Sequence, residues 1–186
     1  MKKFLFLSFT FLFLTLVSCD KDHDHDNEEE LITTLVYTLA SPGSEPVVMT
    51  FKDLDGEGGN DPIVSTVGNF KVNQTYTGVL SVLNESVTPA ENIATEIQNE
   101  ALEHQFFFEV SGGLAGKFNV TYEDKDSNNN PLGIVTRVTA TQAGTGKLKV
   151  TLRHEPNKSA SGVSGGNISN AGGETDIEVT FDVEAK

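Results

Sequence analysis

The last run of the chain, Ile177 to Glu184, alternates without a break. Ile177, Val179, Phe181 and Val183 are apolar, and Glu178, Thr180, Asp182 and Glu184 are polar. Only a β-strand, whose successive side chains point to opposite faces, turns that pattern into one buried and one wet face. The same period recurs along the chain. Leu31, Thr33, Leu35, Tyr37 and Leu39 alternate with Ile32, Thr34, Val36 and Thr38, and Val47, Met49 and Phe51 alternate with Val48, Thr50 and Lys52. Tyr76 to Leu83 is β-branched and aromatic, and Phe106, Phe108 and Val110 follow it. Phe118, Val120 and Tyr122 come next, then a mixed run from Ile134 to Thr139, then Leu148, Val150 and Leu152 against Lys147, Lys149, Thr151 and Arg153. One-sided alternation is the mark of antiparallel sheets. About eight such strands with turn-rich joints predict a mostly β fold, an immunoglobulin-like β-sandwich. The last strand carries acids where the one before it carries Lys147, Lys149 and Arg153, so the two should pair as a hairpin.

One helix should interrupt the strands. Thr88 offers an N-cap, Pro89 a first helical residue and Glu91 the partner of a capping box. Ile93, Ile97 and Leu102 fall on roughly helical spacing with Ala94 and Ala101 beside them, while Glu91, Glu96, Glu100 and Glu103 face outward. This short amphipathic helix is expected to cap an open end of the sandwich.

The N-terminus reads as an address. Lys2 and Lys3 precede an uncharged, mostly apolar run from Phe4 to Val17. That run is too short to span a bilayer, which takes roughly 20 residues, and it has the layout of a secretory signal. Leu16-Val17-Ser18-Cys19 resembles a bacterial lipobox, with the only cysteine of the chain at the position that becomes acylated. The resemblance implies that Cys19 is the mature N-terminus and carries lipid, and more than one acyl chain would hold it stably in a membrane. Three regions follow: a signal at 1–18, an anchor and tether at 19–30, and the β-sandwich at 31–186.

The tether, 20–30, reads Asp-Lys-Asp-His-Asp-His-Asp-Asn-Glu-Glu-Glu and contains nothing that could be buried. It suits a solvated spacer. Two further readings stay open beside that one. The Lys-Asp start resembles the acidic surface-export signal of Bacteroidota lipoproteins. His23 and His25, set among Asp22, Asp24 and Asp26, also offer imidazole and carboxylate to Zn, Ni or Cu.

Composition narrows the partners. With 27 acidic and 13 basic residues the formal net charge is −14. Nucleic acid and anionic lipid surfaces would both repel such a chain. A single cysteine excludes an intrachain disulfide and a multi-cysteine metal site.

Several segments could carry chemistry. Asp53, Asp55, Glu57 and Asp61 lie in a Gly-rich stretch directly after a strand run, and the alternating oxygens resemble the start of an EF-hand calcium loop. The spacing departs from that motif: Gly56 comes too early and the closing bidentate Glu is missing. The alternative is an Asp/Gly surface turn. A second loop, Asp124 to Gly133, has the same composition and reads as a hairpin turn rich in Asx residues. Residues 155–174 form a long glycine-rich connection between two strong strand patterns, and such loops are usually functional or mobile. His104 and His154 each stand beside a glutamate, Glu103 and Glu155, at the edge of a strand pattern. Two histidines with carboxylates could hold zinc where those strands end side by side. The alternative is a structural or surface role.

Signatures of catalysis are missing. There is no G-x-S-x-G elbow and no P-loop, and the glycine-rich Ser111 to Gly116 joins two strand patterns instead of opening a helix. With no Trp, a sugar-stacking platform has only Tyr37, Tyr76 and Tyr122 to draw on. The chain is expected not to be an enzyme.

Taken together, the lipobox cysteine, the tether running into Glu30-Leu31-Ile32-Thr33-Thr34, the Asp53-Leu54-Asp55-Gly56 loop, Leu83-Asn84-Glu85, Glu103-His104-Gln105, Leu152-Arg153-His154-Glu155 and Gly172-Gly173-Glu174-Thr175-Asp176 resemble a group of small flavobacterial outer-membrane lipoproteins. Such proteins often carry the label of a type 1 periplasmic binding fold. That is a two-lobed α/β structure much longer than this chain, and the strand pattern departs from it. The resemblance implies an outer-membrane location, facing the cell surface or the periplasm, and a role beside a TonB-dependent receptor. The expected function is therefore a non-enzymatic accessory binding protein that captures a divalent metal or metal complex, with Zn or Ca as the ions its residues suit. The alternative is a structural or adhesive immunoglobulin-like surface module with at most a loop calcium.

Overall fold

In the computed structural model, which describes residues 31–56 and 59–186, the alternating runs become nine strands in two antiparallel sheets. They are β1 (Thr34–Ala40), β2 (Val47–Lys52), β3 (Ile63–Val67), β4 (Thr75–Leu83), β5 (His104–Gly112), β6 (Phe118–Tyr122), β7 (Val135–Ala140), β8 (Gly144–His154) and β9 (Glu174–Ala185). The larger sheet has the order β3-β2-β1-β4-β7-β6, and the smaller has the order β5-β8-β9. The architecture is the expected β-sandwich. The additional strand is β3, a short run whose side chains are mostly exposed and which therefore shows no period-two burial signal.

The core lies between the inward faces of the two sheets. Leu35, Tyr37 and Leu39 of β1 meet Leu80 and Val82 of β4, and Phe106, Leu148, Val150, Leu152 and Phe181 close over them from the smaller sheet, all buried. Each such side chain contributes roughly 1.5–3 kcal/mol on leaving water. Tyr37 is the one inward residue of β1 with a polar end, and its hydroxyl lies 2.5 Å from Thr136 Oγ1. Its ring occupies the space where a side chain on Gly78 would stand, since a Cβ there would lie 2.6 Å from the ring. The glycine in an otherwise β-branched strand is thus a packing requirement.

The β8–β9 hairpin forms with the complementary wet faces read from the sequence. Lys147 reaches Asp182 at 2.8 Å and Lys149 reaches Glu178 at 3.2 Å. These exposed pairs contribute at most about 1 kcal/mol each and serve mainly to fix register.

The helix, α1 (Ile93–Asn99), differs from the expectation at its start. Asn92, not Thr88, precedes its first turn. The reason is that Glu91 is engaged elsewhere: it exchanges both backbone hydrogen bonds with Asn84, at 3.0 and 3.1 Å, and its carboxylate accepts from Asn84 Nδ2. A residue held in a β-bridge cannot also be the third residue of a helix. Ile93 and Ile97 do enter the core, whereas Leu102 lies beyond the helix end and is half exposed.

The long loop, 155–174, is built rather than loose. Two 3-10 turns, Val163–Gly165 and Ile168–Asn170, fold it over the outer side of β5. There Val163 and Ala171 bury Phe107, while Gln105 Nε2 donates to the Val163 carbonyl at 3.0 Å. Its anchor is Lys158, whose buried ammonium donates to the Ala101 carbonyl (2.5 Å), Asp126 Oδ2 (3.0 Å) and the Pro131 carbonyl (3.1 Å). Burial pulls this ammonium below the usual lysine value, and Asp126 opposes the pull. Asp126 also accepts from the amides of Asn128 and Asn130, so the 124–133 turn is organised around the same carboxylate.

Removing one partner of a buried pair costs about 3–5 kcal/mol, because the other charge is left uncompensated. Lys158→Met should therefore lower the melting temperature by roughly 10 °C, given a response of about 2–4 °C per kcal/mol in a domain of this size. Thermal unfolding followed by circular dichroism would check this. A shift within the error of wild type would mean that the latch adds nothing to folding.

Candidate metal centre

β5 and β8 run antiparallel in a register that pairs Phe106 with Leu152 and His104 with His154. The two histidines thus end side by side, as the zinc reading requires. Both lie on the core-facing side, in phase with Phe106 and with Leu148, Val150 and Leu152. Their rings stack at 4.6 Å between centroids, inclined by 27°. His104 is fully buried and one edge of His154 reaches the surface.

The third member comes from β9 and was not legible in the sequence. Asp176 occupies what looks like a wet-face position in the Glu174–Glu184 alternation. The ladder between β8 and β9 slips there: Leu152 pairs with Ile177 but Arg153 pairs with Thr175, so Asp176 is the extra residue of a β-bulge. A bulge re-aims the side chain it carries. Asp176 turns inward, its carboxylate is inaccessible, Oδ2 lies 3.9 Å from His104 Nε2 and Oδ1 lies 3.8 Å from His154 Nδ1. Among the described residues, this is the group of histidine and carboxylate side chains whose donor atoms converge, all within 4.8 Å of one another.

The backbone around the group is shaped to hold it. Gly172 and Gly173 both have left-handed backbone, at φ +62° and +68°. A Cβ built on Gly173 would run into the His154 carbonyl. Arg153 donates to the Gly173 carbonyl and to Thr175 Oγ1 (2.7 Å), clasping the same turn from the outer face. On the other side, Glu155 (φ +49°) turns the chain at the end of β8 and its amide donates to the Glu103 carbonyl at 2.6 Å.

The chemistry of the group follows from its tautomers. His104 Nδ1 lies 3.2 Å from the Glu100 carbonyl, an acceptor, so Nδ1 donates there and Nε2 is the nitrogen on the Asp176 side. A backbone carbonyl in that position is the usual orienting partner of a metal-bound histidine. Burial holds His104 below the ordinary histidine value, with the neighbouring His154 acting in the same direction and the Glu100 hydrogen bond opposing. A neutral imidazole is the form that binds metal. The separations of 3.8 and 3.9 Å exceed a hydrogen bond. They are close to the spacing of tetrahedral donors around one ion, roughly 3.3 Å for bonds of about 2.0–2.1 Å. Small side-chain rotations would complete a set of two imidazoles and one carboxylate.

The remaining candidates stand apart from this group. In the β2–β3 connection, Asp53 Oδ1 accepts from the Gly56 amide (2.9 Å), and Asp55 Oδ2 accepts from the amide (3.1 Å) and side chain (2.6 Å) of Asn60. The Asn60 amide holds the Asp55 carboxyl below its usual value. These oxygens shape the turn, and Asp61 is exposed beside them. Glu57 lies outside the described residues, as do Cys19, His23 and His25. Neither Glu103 nor Glu155 joins the histidines; the carboxylate is Asp176. Tyr37 and Tyr76 are buried and offer no stacking surface.

No family model, curated protein or solved structure matches the chain. Among the described residues no helix is long and apolar enough to cross a membrane.

The two glycines give a differential prediction. Gly172 has open space where a Cβ would go, so Gly172→Ala should cost only the left-handed conformation, about 1–2 kcal/mol. Gly173→Ala adds the collision with His154 and should be clearly worse. Urea unfolding of both variants checks the order, and equal costs would mean that the β8–β9 turn yields freely.

Proposed function

We propose that this chain is a lipid-anchored, non-enzymatic binding protein of the outer membrane that takes up a divalent transition-metal ion at His104, His154 and Asp176. The observation that carries the reading is the convergence of three donors, from three different strands, on one point. The donor types suit Zn, Co, Ni, Cu(II) or Fe(II), and the absence of thiolate and of several carboxylate oxygens disfavours Cu(I) and Ca. Three protein donors leave one coordination position for water or for a ligand carried with the ion. A partly open site of this kind releases its ion more readily than a closed structural one, which suits capture and transfer. The lipobox at Cys19 and the acidic tether motivate the membrane location. The resemblance to flavobacterial lipoproteins motivates a TonB-dependent receptor as the acceptor.

The test is equilibrium dialysis of the purified full-length protein against Zn, Co, Ni, Cu and Ca, with metal counted by mass spectrometry. About one equivalent of a transition metal should be retained. Asp176→Asn and His154→Gln should each weaken retention by more than the about 10–100-fold typical of changes outside the ligand shell. Asp53→Asn should leave it unchanged. Retention no higher than in the buffer control, or retention indifferent to Asp176 and His154, would end the metal reading.

A further inference from the structure

The two outer faces of the sandwich carry charge very differently. On the smaller sheet, Lys147 and Lys149 of β8 stand among Glu109 of β5 and Glu178 and Asp182 of β9. On the larger sheet, the outward residues of β1 are those out of phase with the buried Leu35, Tyr37 and Leu39, and their neighbours on β2 to β4 follow by register. They are mostly Val, Thr and Ser. The two bases of this face are neutralised in place, Lys52 by Glu85 at 2.8 Å and Arg137 by Glu123 at 3.0 Å. The face is thus left without net charge, in a chain whose formal charge is −14.

The register shows how the apolar part of the face is laid out. Val67 of β3 pairs with Val48 of β2, Val48 with Thr38 of β1, Thr38 with Val79 of β4, and Val79 with Val135 of β7. These residues form one row across five strands, Val-Val-Thr-Val-Val, centred on β1. Val67 and Val79 are 67% and 45% exposed, and Ile63 at the other end of β3 is 66% exposed. Depletion of charge around apolar residues is what marks the centre of a protein interface. Six strands about 4.8 Å apart, each about six residues long at about 3.4 Å per residue, make a face of roughly 600 Å², so two such faces together exceed the roughly 1,000 Å² that a specific interface needs.

We propose that the outer face of the larger sheet is a dimer interface, and that its occupant is the same face of a second copy of this chain. Two acidic copies repel each other, and the repulsion is least where the meeting surfaces carry no net charge. The row is symmetric about β1. A two-fold axis along that strand therefore sets Val48 of one copy against Val79 of the other, and Val67 against Val135. Such a contact is isologous and closes after two copies. The two sheets pack face to face at about 10 Å, with the small crossing angle that strand twist imposes. The axis preserves strand direction, so both chains enter β1 at the same end of the dimer. Residues 1–30, which hold the anchor of the proposed function, precede β1 in both copies, so that one membrane can serve both. Only this last step rests on that reading, and none rests on the metal centre.

The test is sedimentation velocity of the purified full-length protein in a nonionic detergent, with reductant present to prevent disulfides through Cys19. Wild type should be a dimer at about 50 μM and dissociate on dilution, as suits an interface of modest area. Val48→Glu with Val79→Glu sets like charges together on both sides of the axis and should weaken association more than about a hundredfold. Val48→Glu with Val79→Lys sets each new charge against its opposite across the interface and should associate within about tenfold of wild type. Thr180→Glu, which adds an acid to the outer face of the smaller sheet, should associate as wild type does. Val67→Glu, at the most exposed position of the row, should by itself weaken association by about tenfold, and it decides the matter where the double variants do not fold. A wild type that is monomeric at about 50 μM, or folded double variants that associate equally, would overturn the proposal. The readout is mass and not bound metal, so this inference and the metal reading fail separately.

Discussion

A three-stranded sheet cannot cover a six-stranded one, and most of what is unusual in this molecule follows from that mismatch. The apolar surface left over on the larger sheet must be buried by something else. The covering residues lie outside the strands: Ile93 and Ile97 from α1, Phe70 before β4, Leu114 between β5 and β6, and Leu132 and Ile134 before β7. Each is buried to the same degree as the strand residues it meets. Phe70 alone stands edge-to-face with both Tyr76 and Phe118, at 5.3 and 4.9 Å between centroids. The covering runs out at β3, which meets β9 along the edge of the sandwich without pairing with it.

The candidate metal centre depends on the smaller sheet in a different way. β8 is its middle strand, so one residue at its end, His154, has neighbours on both sides. The register with β5 supplies His104 without any adjustment. The register with β9 would supply a residue pointing the wrong way, and the bulge corrects it. Donors carried on strands of one sheet, the middle one paired on both sides, lose little freedom when an ion arrives, so little conformational entropy opposes binding. The histidines of the tether, His23 and His25, sit in a segment whose composition cannot bury a core and would have to be ordered first.

How far the sequence was legible can be traced to particular residues. Period-two burial identified the strands that have one face in the core, and the charge match between Lys147, Lys149 and the acids of β9 identified the final hairpin. β3 escaped because Ile63, Val64 and Val67 are exposed, so its pattern obeys no burial rule. The helix start escaped because Glu91 serves a bridge to Asn84, a tertiary contact that overrides a good local capping signal. His104 and His154 were visible as a pair because both end strand patterns. Asp176 was not, since a bulge is a property of two strands together and leaves no mark in either one. Lys158 was hidden for a related reason: a lysine in a Gly/Ser/Asn loop gives no hint that an aspartate in another turn will bury it.

Charge placement adds a final step. The outer face of the larger sheet is built from residues such as Val36, Thr38, Val48, Thr50, Thr77 and Val79, and its two bases, Lys52 and Arg137, are held by Glu85 (2.8 Å) and Glu123 (3.0 Å). The unpaired edge of β9, by contrast, presents acids in a chain of net charge −14. Exposed edges invite pairing with other copies, and charge is one way proteins prevent it. Acids on β9 do so by repelling any second β9.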